Sequence, residues 1–451
     1  MSKKASKIVF LCSACGMDFP KWHGQCPSCD EWGTLNEFNV SAKGSNPLST
    51  RARNLKPIQA ISDTADSSRI STKSTEIDRV LGGGLLPGSM VLLAGNPGIG
   101  KSTLALQILG RVTGKTLYIS AEESEEQIAM RARRLGISNR KLSLSGENRI
   151  SSILDIVERE KIEILVIDSI QTVYNEAADN LPGSITQIRD CSQQLLQFGK
   201  QNNITIIIIG HVTKEGVVAG PKMLEHMVDT VLYLEGDQKY DHRILRSEKN
   251  RFGATHEVGI FTMVENGLQE VTNPSELFLA ERSRGIAGTA IYPSLEGTRP
   301  IMIEVQALVS PANFGTPQRN VNGMDYRRLS MLLAVLEKRM NLVMGMRDVF
   351  VNLVGGLRVD DPAMDLAVLA AIASSAMDKP LPDDCVFFGE VGLAGEVRSV
   401  LHLEKRLQEA QALGFVRGIV PDAMGKSQSK FSLDLIRVRY VRDMFNKILQ
   451  K

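Results

Sequence analysis

Hydrophobic and polar positions follow different rhythms along this chain. From about Ile70 to residue 272, short runs rich in Ile, Val and Leu alternate with longer stretches in which apolar residues recur every three or four positions. Residues 90–94, 116–120, 164–167, 205–209 and 230–234 have strand length and little polar alternation. That pattern predicts strands buried on both faces of a parallel sheet. Residues 102–111, 124–135, 151–159 and 185–201 carry the helical period between them, and a further strand pair is predicted at 243–247 and 256–262. Beyond Pro274 the texture shifts. Strands are predicted at 290–294, 301–308, 349–354 and up to Pro421, and helices at 326–342, 362–377 and 403–412. This is a second α/β domain. Residues 40–70, rich in Ser, Thr, Ala, Asn and Lys, show no apolar period and read as a linker.

The length of 451 residues exceeds what one hydrophobic core organises. The pattern divides it into a cysteine module at 1–35, a linker at 36–69, an α/β domain at 70–272 and a second at 273–451. No apolar run approaches the roughly 18 residues of a membrane helix; the longest lie at 204–209 and 366–373. The run after Lys3, Lys4 and Lys7 is too short for a signal-peptide core. A cytoplasmic protein with no membrane partner is the expectation. Hydrophobic content of 43% and charged content of 23% exclude wholesale disorder. The net charge of +2 does not announce a nucleic-acid binder, yet the first sixty residues hold eight Lys/Arg against four Asp/Glu.

Gly95-Asn96-Pro97-Gly98-Ile99-Gly100-Lys101-Ser102-Thr103 matches the phosphate loop G-x-x-x-x-G-K-[ST], between a predicted strand and a predicted helix. Glycines turn backbone N–H groups inward around phosphate oxygens, and the helix N-terminus adds a favourable dipole. Lys101 is the candidate charge on the β- and γ-phosphates of ATP, and Ser102 the candidate hydroxyl on Mg²⁺. The strand at 164–167 ends in Asp168, at the sheet edge where such folds bind ligands; Asp168 is the second candidate Mg²⁺ residue. Glu122 and Glu123 follow another strand, and either carboxylate can orient and deprotonate the attacking water. Glu122 is favoured, because Glu123 suits the N-terminus of the next helix. His211, after the strand at 205–209, is either a γ-phosphate sensor or a structural residue.

The six cysteines comprise isolated Cys191 and Cys385 and the cluster Cys12, Cys15, Cys26 and Cys29, spaced C-x2-C-x10-C-x2-C. Two tight thiolate pairs suit tetrahedral Zn²⁺. A module this small takes its folding energy from the metal. Lys21, Trp22, His23 and Trp32 mix cations with aromatics around it, a composition that suits nucleic acid and a protein surface equally.

The cysteine module, the phosphate loop, Asp168 and Lys249-Asn250-Arg251-Phe252-Gly253, occurring in that order, resemble the bacterial RadA (Sms) family of DNA-repair proteins over essentially the whole chain. The resemblance implies a C4 zinc finger, a RecA-type ATPase core and a C-terminal domain similar to the Lon protease domain. It further implies homo-hexameric rings that bind single-stranded and branched DNA, hydrolyse ATP in response to DNA, promote branch migration and support break repair alongside the RecA recombinase. Glu122 then resembles the catalytic glutamate of RecA. Residues 216–224 resemble a DNA-facing loop, with Lys214 and Lys222 available to phosphates. Lys249 and Arg251 are expected to act on the ATP of a neighbouring subunit, both pointing the same way from an extended segment. The C-terminal domain departs from active Lon. Asp361-Pro362-Ala363 lacks the nucleophilic serine, and Glu404, beside Lys405, falls where the catalytic lysine would stand. A DNA motor, an ATP-dependent protease and a signalling ATPase similar to clock proteins are the competing classes. The missing Ser-Lys pair weighs against the second, and the zinc module and the pentapeptide weigh against the third.

Overall fold

The computed structural model describes residues 7–12, 18–27, 30–40, 69–178, 180–210, 221–236, 241–255, 257–280, 282, 284–312, 316–355, 359–423 and 431–449. They form two compact units. One holds the described residues up to Gly236 together with Asp241–Glu270, and the other holds those from Val271 onward.

The first unit opens with three antiparallel strands, β1 (Lys7–Cys12), β2 (Asp18–Phe19) and β3 (Leu35–Val40), in the order β2-β1-β3. Pairing runs from Cys12 opposite Leu35 to Lys7 opposite Val40. This moves the end of the module from residue 35 to Val40. The strand reads LNEFNV, polar enough to pass for linker, and only its pairing with β1 reveals it. Cys12, Cys26 and Leu35 are buried together, with Phe10 and Phe19 packed against them.

The nucleotide-domain elements follow in chain order: α1 (Thr75–Leu81), β4 (Met90–Gly95), α2 (Lys101–Arg111), β5 (Thr116–Ser120), α3 (Glu125–Arg134), β6 (Leu142–Ser145), α4 (Ile150–Glu160), β7 (Ile164–Asp168), α5 (Ile185–Asn202), β8 (Thr205–Ile209), α6 (Pro221–Met227), β9 (Thr230–Glu235), β10 (His242–Asn250), β11 (Val258–Val264) and β12 (Gly267–Glu270). The nine strands make one sheet in the order β12-β11-β10-β9-β4-β8-β7-β5-β6. It is parallel from β9 to β6 and antiparallel from β9 to β12.

Period-2 alternation sorts the central strands into two cores. Val91, Leu93, Tyr118, Ile164, Val166, Ile207 and Ile209 face the side where α2 packs through Leu104, Ala105 and Ile108. Leu92, Leu117, Ile119, Leu165, Ile167, Ile206 and Ile208 face the side of α4 and α5, packed through Ile153, Val157, Ile188 and Leu195. Cutting one such buried Leu or Ile back to Ala costs about 2–5 kcal/mol, so these strands have little room for polar residues.

The second unit begins with α7 (Pro274–Leu279), β13 (Thr289–Glu296), β14 (Arg299–Pro311), β15 (Arg319–Asn322), α8 (Tyr326–Met340), β16 (Arg347–Leu353) and α9 (Asp365–Met377). It continues with β17 (Cys385–Phe387), β18 (Glu390–Val391), β19 (Val397–Arg398), α10 (Leu403–Ala412), β20 (Arg417–Pro421), β21 (Asp434–Val438) and α11 (Val441–Met444). Seven of these strands form a mixed sheet, β15-β16-β14-β13-β17-β20-β21. The apolar run at 366–373 is the interior of α9, every residue of it buried. Among the described residues no helix is long and apolar enough to cross a membrane.

Candidate active site

β4 ends at Gly95, and the chain turns through Asn96, Pro97, Gly98 and Ile99 into α2. Gly95 (φ +146°) and Gly100 (φ +115°) take backbone conformations that L side chains rarely adopt. A Cβ at Gly95 would run into the Leu234 carbonyl, and one at Gly100 would sit 2.8 Å from the Met263 methyl. The loop therefore keeps its bare backbone N–H groups at the mouth of α2, the geometry of a phosphate cradle.

Lys101 is the first residue of α2 and only 5% exposed. Its ammonium donates to the carbonyls of Gly95 (2.8 Å) and Asn96 (3.0 Å). Burial lowers its pKa, partly offset by the Asp168 and Glu122 carboxylates facing it. Ser102 and Thr103, half-buried, follow on the first turn.

β8 separates β4 from β7, and β5 lies on the far side of β7. Asp168, the last residue of β7, pairs with Ser120 of β5, so the carboxylates after both strands reach the Lys101 end of the sheet. Asp168 is nearly buried and accepts a hydrogen bond from the Tyr118 hydroxyl. Burial, with the Asp168 charge second, pushes the Tyr118 pKa far above its ordinary range, so the phenol stays a donor. The exposed Glu122 carboxylate accepts from the Ser169 hydroxyl at 2.5 Å.

Glu123 is differently placed. It pairs with Arg131 of α3 at 2.6 Å, and the next residue, Ser124, opens α3 with a reciprocal capping box to Gln127. Glu123 belongs to the anchorage of α3, Glu122 to the open cleft. Tyr118 and Ser169 escape a sequence reading. Tyr118 sits in an apolar run like any core aromatic, and Ser169 follows Asp168 like an ordinary turn residue.

The pentapeptide Lys249-Asn250-Arg251-Phe252-Gly253 lies at the other end of the sheet. Asn250 pairs with Thr230, Thr230 with Val91, and Leu234 with Gly95. The four steps from Val91 to Gly95 are about 13 Å of strand, so neither cation is built into its own phosphate loop. The Lys249 ammonium lies at the C-terminal end of α6, donating to the carbonyls of Glu225 (2.6 Å), His226 (3.3 Å) and Val228 (2.8 Å). Burial, with Arg251 second, lowers its pKa. The strand continues through Lys249 after a bulge at Ser247, which brings both cations against residues 225–229.

Arg251 is half-exposed, with one ion pair to Asp229 at 3.3 Å. Its partner Asp229 is buried and also faces Lys200 at 3.7 Å, so that carboxylate keeps a cation when Arg251 turns away. Charge-assisted bonds to carbonyls contribute about 1.5–3 kcal/mol each, and Lys249 has three of them. Phe252 is 39% exposed beside it. The Asn250 side chain accepts from Phe252 N (3.0 Å) and donates to the Val80 carbonyl (3.4 Å), holding the turn.

Cys12 and Cys26 are buried, and the Cys12 thiol lies 3.1 Å from the Thr34 hydroxyl. Cys15, Cys29, His211 and Lys214 lie outside the described residues, as does the Lys222 side chain.

A glycine-lined loop at the tip of a central parallel strand, a buried lysine opening the next helix, and an acidic residue two strands away define a RecA-type P-loop ATPase. Family models and curated relatives point the same way. Residues 56–217 match a family model described as an AAA domain, and residues 10–37 match one described as a rubredoxin metal binding domain. The chain is 48% identical to the DNA repair protein RadA of Bacillus subtilis, over 94% of each chain. It is 44% identical to that of Pseudomonas aeruginosa over 99% of each. A crystal structure of the RadB recombinase is 24% identical with a TM-score of 0.37, covering 45% of this chain and 99% of that one. The chain belongs to the RadA family of DNA repair proteins and is an ATP-hydrolysing enzyme.

Proposed function

We propose that the chain works as a DNA-stimulated ATPase in a homo-hexameric ring, driving branch migration of recombination intermediates during break repair. The observation that carries this reading is the placement of Arg251, half-exposed, held by a single ion pair and about 13 Å of strand from its own phosphate loop. Such a cation completes a site it does not belong to. In this reading the phosphate-loop N–H groups and Lys101 bind the β- and γ-phosphates, and Ser102 and Asp168 hold Mg²⁺. Bound Mg²⁺ supplies charge neutralisation across those phosphates. Glu122, steadied by Ser169, orients the attacking water and accepts its proton. Arg251 of a neighbouring subunit faces the charge that develops on the transferred phosphoryl group. Lys249 serves that step by holding the turn against α6.

Cys12, Cys15, Cys26 and Cys29 hold Zn²⁺ in the three-stranded module, and the burial of Cys12 and Cys26 beneath Leu35 fits a closed structural site. Lys214 and Lys222 contact DNA phosphates, with single-stranded and branched DNA as the substrates and RecA as a partner, in the cytoplasm. Residues 273–451 serve as a Lon-like scaffold without peptidase chemistry. A mixing experiment tests the reading. Arg251→Ala and Lys101→Ala are each expected to bind single-stranded DNA in a filter assay yet turn over little ATP. Mixed rings should regain activity, because some interfaces pair an intact Lys101 with an intact Arg251. No recovery in demonstrably mixed rings removes the action in trans.

A further inference from the structure

We infer that Tyr118 is a positioning residue for the divalent cation, its hydroxyl holding the Asp168 carboxylate in place beside Ser102. The inference rests on the reading that Asp168 and Ser102 hold Mg²⁺, and it assigns a role to a side chain that touches neither ATP nor metal.

Tyr118 is fully buried in the centre of β5, in the core that packs under α2. It pairs with Val166, and Ser120 pairs with Asp168. The phenol therefore begins two residues, about 7 Å, short of Asp168 on the neighbouring strand, and a side chain leaning along its strand covers that distance. Its hydroxyl donates to Asp168 Oδ2, and Ser102 is near enough to the same phenol to lower its pKa slightly against the effect of burial. One buried oxygen thus bonds the candidate cation residue at the end of β7, with the other, on the first turn of α2, close by.

The bland alternative is a core aromatic whose hydroxyl has taken the nearest acceptor. Two features weigh against it. Among the hydrophobic side chains that the central strands give this layer, the others are aliphatic (Val91, Leu93, Ile164, Val166, Ile207 and Ile209), and Tyr118 is the one that carries a hydroxyl. A buried hydroxyl without a partner costs about 1–3 kcal/mol, so a phenylalanine there would be the simpler filler unless the hydroxyl serves Asp168. With Oδ2 taken by the phenol, Oδ1 is left to face the cation's water shell. Removing outer partners of metal-binding residues typically weakens metal affinity by about 10–100-fold.

The test titrates Mg²⁺ into the full chain at fixed methylanthraniloyl-ADP and reads nucleotide binding by fluorescence, without hydrolysis. Tyr118→Phe should raise the Mg²⁺ midpoint about tenfold, leave binding in EDTA as in the unmodified protein, and turn over ATP poorly at low Mg²⁺ but nearly normally at high Mg²⁺. Tyr118→Met, of similar volume and without a donor, should shift the midpoint likewise and replaces the first variant if that does not fold. Asp168→Asn should lose most of the Mg²⁺ response. An unchanged midpoint in the Tyr118 variants, with the response lost in Asp168→Asn, overturns the role of Tyr118 and leaves the Asp168 reading standing. An unchanged response in all variants overturns both. Equal weakening with and without Mg²⁺ marks general damage to the core and overturns the positioning role.

Discussion

The two units each bury a tyrosine, a carboxylate and a cation together, and they use the trio in opposite ways. In the nucleotide unit Tyr118 donates to Asp168, while Lys101 stands across from that carboxylate and bonds only to loop carbonyls. In the C-terminal unit Tyr292 donates to Asp361 at 2.7 Å, and Arg406 closes on the same oxygen at 2.6 Å. Arg406 is 2% exposed and also donates to the carbonyls of Pro293 (2.6 Å) and Leu401 (3.0 Å). The first cluster leaves its ammonium on two loop carbonyls, with no carboxylate bonded to it, so that a phosphate can take their place. The second spends its donors on its own chain. The difference lies both in the cation and in what it touches: a lysine held by two carbonyls can exchange them for phosphate, and a guanidinium locked on a carboxylate and two carbonyls cannot.

The largest effect that tests this contrast is on turnover. Lys101→Ala should lower ATP hydrolysis roughly a thousandfold, at the upper end for loss of one transition-state charge contact, with circular dichroism unchanged. A folded variant near normal turnover would remove Lys101 from the site. The matching change in the second cluster should act on stability instead. Arg406→Met leaves Asp361 partly buried without its cation, and breaking a buried pair typically costs about 3–5 kcal/mol. Denaturant unfolding of the C-terminal unit should show that loss. A midpoint like that of the unmodified protein would mean that the Asp361 pair carries no structural load.

The phosphate loop and the central strands were legible in sequence because each depends on its immediate neighbours. β4, β7 and β8 are apolar on both faces, and Gly95 and Gly100 announce a turn that side chains would block. The edges were not legible. β6 (LSLS), β12 (GLQE) and β15 (RNVN) carry little hydrophobic signal, since an edge strand takes its identity from its partner. The same limit hid the surroundings of Lys249. Its partners lie 21–24 residues earlier, and no local pattern distinguishes a cation that ends a helix from one that waits for phosphate. In the C-terminal unit the stretch around Glu404 and Lys405 drew notice as the place of a missing base, yet the cation that reaches Asp361 is Arg406, one helical position further on.

A finer test separates two neighbours within the first site. Glu122→Gln should slow hydrolysis about a hundredfold, in the range for loss of a general base, while nucleotide binding persists. Glu123→Gln should slow it only a few-fold, through loosening of the Arg131 pair at the start of α3. Both are read by steady-state turnover with binding measured separately. The reverse ranking would transfer the role of base to Glu123.

The smallest expected effect is none at all. Ala363→Ser restores a hydroxyl where the resemblance to Lon places the nucleophile, yet peptide hydrolysis should not appear. Ala363 is buried in a short turn ahead of α9, its N–H donating to Asp361 Oδ1 at 3.0 Å. It lines a cavity of about 300 Å³ with Leu295, Leu401 and Arg406, so space for a side chain exists. The obstacle is chemical. A serine hydroxyl attacks a carbonyl only as its proton leaves, and a neighbouring base must take that proton. The cation built into this cavity is a guanidinium, which offers donors and no acceptor site. Its partner Asp361 already receives Tyr292, Arg406 and the Ala363 N–H. The other carboxylate lining the cavity, Glu390, is turned to Arg328 at 3.9 Å, so restoring the nucleophile alone supplies no base built to take the proton. Casein incubated with the Ala363→Ser protein and ATP should remain intact by gel. Cleavage that survives repurification and disappears on deleting residues 273–451 would show that the second cluster is as open to chemistry as the first.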